Sequence, residues 1–213
     1  MKIILHVLAV ALCCAQPSFA QTKTGRERAG LFGPVHIVRS ETAQLSNVNG
    51  RLIEGVRAAG QTLTFDEQGN LTEWLTLNPI PPYKWGARWA YTYDATGRVT
   101  EELFHNAAGI FAGRTLTVYD DKTGTAARTE QDYDGSIITR TELTFDGRRK
   151  VTREIDHDSK GALRETKTYT YDEHGWLLER SANRPDGRVI LKRIYTHDAQ
   201  GRTTGWTVYN HTG

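Results

Sequence analysis

From Leu63 onward the chain runs in short stretches where apolar and polar residues alternate. Most of these stretches close on an aromatic residue followed by aspartate. They are Leu63-Thr64-Phe65-Asp66, Tyr91-Thr92-Tyr93-Asp94, Thr117-Val118-Tyr119-Asp120, Leu143-Thr144-Phe145-Asp146, Tyr169-Thr170-Tyr171-Asp172 and Tyr195-Thr196-His197-Asp198. The aspartates are spaced by 28 residues and then four times by 26. A period of two marks a half-buried strand, and a fixed longer period marks a repeat architecture. A second mark keeps the same phase: Gly109, Gly135, Gly161, Gly187 and Gly213 each lie 15 residues after an aspartate. Asp66 to Gly69, Asp94 to Gly97, Asp172 to Gly175 and Asp198 to Gly201 share the form D-x-x-G; Asn106 to Gly109 and Asp158 to Gly161 share N/D-x-x-G. Asp or Asn opens a type I turn, and Gly supplies the left-handed residue that ends it in a bulge. Each unit therefore reads as two antiparallel strands and two turns. Upstream, Val35–Leu45 and Arg51–Phe65 read as a further hairpin around Asn47-Val48-Asn49-Gly50. The fold class expected is all-β: an antiparallel meander of about 12–14 strands, twisted and rolled into an open or partly closed barrel or shell.

The turns also give an expected register. The residue before each Asp should oppose the second residue after Gly, pairing Phe65 with Leu71, Tyr93 with Val99, Phe145 with Val151 and Tyr171 with Leu177. The second turns pair His105 with Phe111, Gln131 with Ile137 and His157 with Leu163. Plain alternation puts all these pairs on one aromatic face and leaves Thr64, Thr92, Thr144, Thr170 and Thr196 on the other. Two places break the rhythm. The proline-rich stretch from Asn78 to Trp85 lengthens one unit, and Asp120-Asp121-Lys122-Thr123-Gly124 is one residue longer than the other turns.

Composition narrows the class. Among 213 residues, 38% are hydrophobic and 24% charged, with 27 Lys+Arg against 25 Asp+Glu. That balance speaks against a nucleic-acid partner and against disorder, and no stretch of apolar residues is long enough for a membrane-spanning helix. Residues 1–20 combine Lys2, an apolar run from Ile3 to Cys14, and small residues at Ser18 and Ala20, the pattern of a secretory signal peptide. The expected organisation is a signal peptide at 1–20, a flexible leader at 21–30 and a sheet domain at 31–213, made of a hairpin (31–60) and repeats (61–213). The expected location is the periplasm or the cell exterior. Both cysteines lie within the first 20 residues, so the exported chain has no disulfides, thiolate metal sites or cysteine nucleophile.

The run Tyr91-Thr92-Tyr93-Asp94-Ala95-Thr96-Gly97-Arg98-Val99 resembles the YD-repeat signature of the Rhs family, as does Tyr169-Thr170-Tyr171-Asp172-Glu173-His174-Gly175-Trp176-Leu177. The resemblance extends over about residues 61–213. Relatives in that family are bacterial Rhs toxin carriers, the C components of toxin complexes, and teneurins. The resemblance implies a continuous antiparallel sheet outside the cytoplasm with a structural or binding role, carbohydrate and cell surfaces being the ligands attributed to such repeats. The toxin carriers are many times longer. Six units fit a small stand-alone YD-repeat protein rather than a shell that encloses cargo.

Candidate chemistry is sparse. No nucleophile elbow or phosphate loop occurs, and no cofactor or metal is expected. In Asp156-His157-Asp158, alternation splits the three side chains between faces, and Asp158 opens a turn. Glu101 and Glu179 fall mid-strand on the expected aromatic face, with Glu179 set to oppose Arg193; paired carboxylates of this kind carry glycoside hydrolysis. The expected site is a ligand-binding face of Trp89, Tyr91, Tyr93, Glu101, His105, Tyr169, Tyr171, Trp176 and Glu179, with no catalytic residue. The partner expected is a polysaccharide or a protein of the envelope or cell surface. Alternatives are a protein-assembly module that pairs, or self-associates, through free strand edges such as that of the last strand, around Thr207, and a glycoside hydrolase-like enzyme.

Overall fold

The structure, a computed structural model, describes residues 24–78 and 85–210. The signal-peptide segment, the prolines at 79, 81 and 82, and the turn mark at Gly213 lie outside the described residues. Among the described residues, one short helix, α1 (Gly25–Arg28), precedes fifteen strands. These are β1 (Ile37–Thr42), β2 (Leu45–Val48), β3 (Arg51–Glu54), β4 (Ala58–Phe65), β5 (Leu71–Asn78), β6 (Trp85–Tyr93), β7 (Val99–Asn106), β8 (Phe111–Asp120), β9 (Thr125–Asp132), β10 (Ile137–Phe145), β11 (Val151–Asp158), β12 (Leu163–Tyr171), β13 (Leu177–Asn183), β14 (Val189–His197) and β15 (Thr203–Asn210).

Thirteen strands form one antiparallel meander in the order β1, then β4 through β15, with β1 and β15 at its two edges, so the sheet is not closed into a barrel. The N-terminal hairpin is interrupted. β1 pairs with β4 in the main sheet, while β2 and β3 form a separate two-stranded sheet at its tip. Asn49 and Gly50 turn that tip with φ of 52° and 82°, the left-handed pair that matches the twist of a two-residue hairpin. Within the stretch expected as a leader, Thr24 and Glu27 form a capping box on α1, and the Arg26 amide donates to the Gly69 carbonyl at 2.9 Å.

The repeat turns have the geometry their sequences demand. The Gly69, Gly97, Gly175 and Gly201 amides donate back to the carbonyls of Asp66, Asp94, Asp172 and Asp198, and each glycine has φ between 78° and 84°. The aspartate side chain also accepts, as where Oδ1 of Asp66 takes the Asn70 amide at 2.7 Å. In the fourth unit Arg149 occupies the left-handed position at φ 61°, where its sister turns have glycine.

Every expected turn-flanking pair for which a register is resolved is present: Phe65 opposes Leu71, Tyr93 opposes Val99, Phe145 opposes Val151, Tyr171 opposes Leu177, Gln131 opposes Ile137, and His157 opposes Leu163. Beyond the pair, however, the register slips by one residue. Thr64 opposes Glu73, Thr92 opposes Glu101, Thr144 opposes Arg153 and Thr170 opposes Glu179. The second turns slip likewise, with Glu130 opposite Thr139 and Asp156 opposite Glu165. A bulge thus follows each of these turns, and one inserted residue inverts the alternation downstream. In three units the extra residue is a threonine that satisfies the disturbed ladder itself: the Thr72, Thr100 and Thr152 hydroxyls donate to the carbonyls of Thr64, Thr92 and Thr144 at 3.2, 3.2 and 3.3 Å.

The bulges correct the expected faces. Pairs at the two ends of a hairpin lie on opposite faces rather than on one. The aromatic face carries Tyr93 and Tyr171; the threonine face carries Thr92 and Thr170, and with them Glu101, Glu179, Arg153, His105 and His157.

The described chain divides into two compact units, one up to Arg114 and the other from Thr115. In the first, Phe65 is 4% exposed on the aromatic face. In the second, Leu143 (1%) and Tyr169 (3%) lie with Ala126 and Val151, against Tyr119, Phe145, Tyr171 and Leu177. Among the described residues of each unit, strands touch chiefly their sheet neighbours.

Candidate ligand-binding face

In the first unit, cross-strand pairing aligns Leu63, Trp74, Trp89 and Phe104 in one row over β4 to β7. Trp74 and Trp89 stack with ring centroids 4.8 Å apart, and Phe104 follows at 5.3 Å, tilted by 38°. All four are half-buried. Offset and tilted aromatic pairs of this kind each add roughly 0.5–1.5 kcal/mol beyond the area they bury. The Trp74 indole N–H is buried without an acceptor. Tyr91 and Tyr93 continue the same face of β6. Burial pushes the Tyr93 phenol up to about 12, with Arg28 opposing the rise and Asp66 and Glu102 adding to it. The hydroxyl therefore stays a donor at ordinary pH, and it bonds the Leu71 carbonyl at 2.6 Å.

Glu101 and His105 do not join these rings. Glu101 sits on the threonine face, its carboxylate 3.6 Å from the Arg114 guanidinium. Glu102 is the residue opposite Tyr91, where its charge, after burial, helps raise that phenol. His105 opposes Arg88 and packs edge-on against Phe111 at 5.8 Å.

In the second unit, Tyr169 and Tyr171 lie on the aromatic face of β12. The Tyr171 hydroxyl donates to the Val151 carbonyl, and Lys150 stands 5.0 Å over its ring. A cleft of about 270 Å³ opens beside them, lined by Asp146, Arg148, Tyr169, Tyr171, Asp172 and Gly175 among others. Trp176 belongs to the turn rather than to the face. Its ring lies between those of His174 and His197, at 4.8 and 5.9 Å, and over Gly201 of the next turn. Glu179 opposes Thr170 and Ile194, not Arg193, and its ion pair is with Lys192 at 2.8 Å. The expected Glu101/Glu179 stripe on the aromatic face is therefore absent: both carboxylates lie on the threonine face, each beside a cation.

Bulge inversion brings other charges onto the aromatic face, where alternation alone had not placed them. Lys167 reaches Asp156 at 2.6 Å and Glu154 at 3.4 Å, and the Thr141 hydroxyl donates to Asp156 at 2.7 Å. Burial pushes the Asp156 carboxyl up, but the Lys167 and Thr141 bonds outweigh it and hold it below the usual range; Lys167 is correspondingly raised despite its burial. Arg180 and Arg193 lie on this face too, directly opposite one another. Counting one extra residue after each turn is the sequence signal that would have found all of these.

No protein-family model matches the sequence, and no curated protein matches it. Among solved structures, a porin-like protein from Bacteroides uniformis is similar over 58% of this chain and 49% of its own, at 19% identity and a TM-score of 0.46. Structures of TcdB2-TccC3, with and without Cdc42, match over 83% of this chain and 11% of theirs, at 14% and 15% identity and a TM-score of 0.24. The chain thus spans about half the length of the porin-like protein. Its β-repeat character is evident in its own register, and no helix among the described residues is long and apolar enough to cross a membrane.

Proposed function

We propose that this is an exported, non-catalytic binding and scaffold protein built from YD-type repeats, which holds envelope carbohydrate against the aromatic face of its sheet. The observation that carries this reading is the row Trp74–Trp89–Phe104: stacked and tilted rings, half-buried, side by side on one face of the sheet. Apolar ring faces beside polar edges suit the two-sided chemistry of sugars, and reachable aromatic patches mark interaction sites. The ion-paired carboxylates on the threonine face support a binding rather than a hydrolytic role. Export is supported by the pattern of residues 1–20, and YD-type identity by aspartate turns that recur in phase with a preceding aromatic.

The test is calorimetric titration of the exported chain with a panel of envelope polysaccharides and peptidoglycan fragments, beside a Trp89→Leu variant shown to fold by circular dichroism. Saturable binding, weakened in the variant, is expected. Absence of binding across the panel, or equal binding by the variant, rejects the reading.

A further inference from the structure

Arg180 of β13 and Arg193 of β14 are direct cross-strand partners on the aromatic face of the second unit. Like charges placed opposite each other on adjacent strands are destabilising. The surroundings do not relieve the repulsion. The Nε of each guanidinium is buried without a hydrogen-bond partner, and no carboxylate lies within ion-pair distance of either arginine among the described residues. The acids nearest in register are committed elsewhere. Glu179 points to the other face and pairs with Lys192, while Glu154 and Asp156 hold Lys167. The Arg180 guanidinium stands 6.0 Å from the Tyr169 ring centroid, a cation–π contact that orients the side chain without reducing its charge.

We infer that Arg180 and Arg193 form an anion site, and that its ligand is the carboxylate of an acidic sugar. A guanidinium is a planar fork of donors that carboxylates match best, and the register sets two of them on neighbouring strands. The surrounding face supplies the remainder of a sugar site. Tyr195, two residues from Arg193, opposes Trp206, and Trp206 is 64% exposed. An anion between the arginines converts a repulsive pair into an attractive triad. This inference rests on the carbohydrate reading for the identity of the ligand, whereas the anion site rests on the arginine pair alone.

The test uses the exported chain, an oligogalacturonate, its fully methyl-esterified form and inorganic phosphate, with Arg180→Gln and Arg193→Gln variants. Removing one like charge relieves repulsion, so both variants should melt at or above the wild-type temperature in the absence of ligand. The expected result is that the oligogalacturonate binds, that each variant weakens it about tenfold or more, and that the esterified form is weakened comparably on the wild type. Binding of oligogalacturonate that is unchanged in both variants overturns the site and leaves the carbohydrate reading intact. Arginine-dependent stabilisation by phosphate with no oligogalacturonate binding overturns the acidic-sugar ligand and keeps an anion site. No response to any of the three probes overturns the inference as a whole.

Discussion

The Tyr171 hydroxyl donates to the Val151 carbonyl at 2.9 Å, twenty residues back and in the preceding hairpin. Val151 is the residue at which the β10–β11 register slips. Tyr93 makes the same bond to Leu71, at the slip of β4–β5, and the His197 ring approaches the Leu177 carbonyl at 2.7 Å, at the slip of β12–β13. The aromatic residue that precedes each of these aspartates thus serves the next bulge along the sheet. A carbonyl that the bulge takes out of the ladder is satisfied by the neighbouring repeat, so a local irregularity becomes a tie between units.

Tyr171→Phe removes this bond and leaves the buried Val151 carbonyl short of a donor. The expected loss is about 1–2 kcal/mol, read as a lower urea midpoint with an unchanged slope. Phe145→Tyr is the control, because the fourth unit has no hydroxyl at this position. An unchanged midpoint in Tyr171→Phe would show that water serves the carbonyl equally well.

Adjacent turns also stack. A Cβ on Gly201 would overlap the Trp176 indole, and Gly201 has φ 78°. Gly187 has φ 84° but open space around it. Gly187→Ala should therefore report the backbone cost alone, about 1–2 kcal/mol, and Gly201→Ala should cost clearly more. Thermal or urea unfolding of the two variants separates the terms. Equal losses would mean that the indole moves aside freely.

Much of this arrangement was legible in the sequence because it is local. A D-x-x-G turn states its own geometry, and the pair beside it follows from the turn, as Tyr171 with Leu177 shows. The faces beyond the turn were not legible by alternation, because one unpaired residue at each bulge inverts them. Glu179 is the clearest case. Its charge and position in the strand were plain, but its face and its partner, Lys192 rather than Arg193, depend on a slip that leaves no mark in hydropathy. Trp89, Tyr91 and Tyr93 lie on the face that alternation gives them because they precede a turn with no bulge between. Trp176, inside a turn, had no alternation to follow.

Arg149 offers a stabilising change. It adopts φ 61° where the equivalent residues Gly69, Gly97, Gly175 and Gly201 adopt 78–84°. A left-handed conformation costs an L-residue with a Cβ about 1–2 kcal/mol, and glycine loses part of that gain to its freer unfolded chain. Arg149→Gly should raise stability by about 0.5–1 kcal/mol, seen as a higher melting temperature. A lower one would reveal a contact of the Arg149 side chain that outweighs the strain.

Acid should loosen the first unit through Asp94. Its carboxylate accepts the Arg98 amide and the Thr96 amide and hydroxyl, and pairs with the Arg98 guanidinium at 2.7 Å. Burial raises this carboxyl, but those bonds outweigh it and hold it at about 2, against an ordinary value of 3.8. A carboxyl depressed in the folded state binds its proton more readily when unfolded, so it stabilises the fold above the ordinary value. That contribution is lost as pH falls through the folded one. The window is therefore pH 4 to 2, and the contribution is on the order of 1–2 kcal/mol once solvent screening is allowed for. Urea unfolding of the wild type and Asp94→Asn should show the variant less stable at pH 6. The difference should shrink between pH 4 and 2, as the wild type comes to carry the same neutral side chain. A gap that stays constant over that interval would place the stabilisation in the shape of the turn rather than in the charge of Asp94.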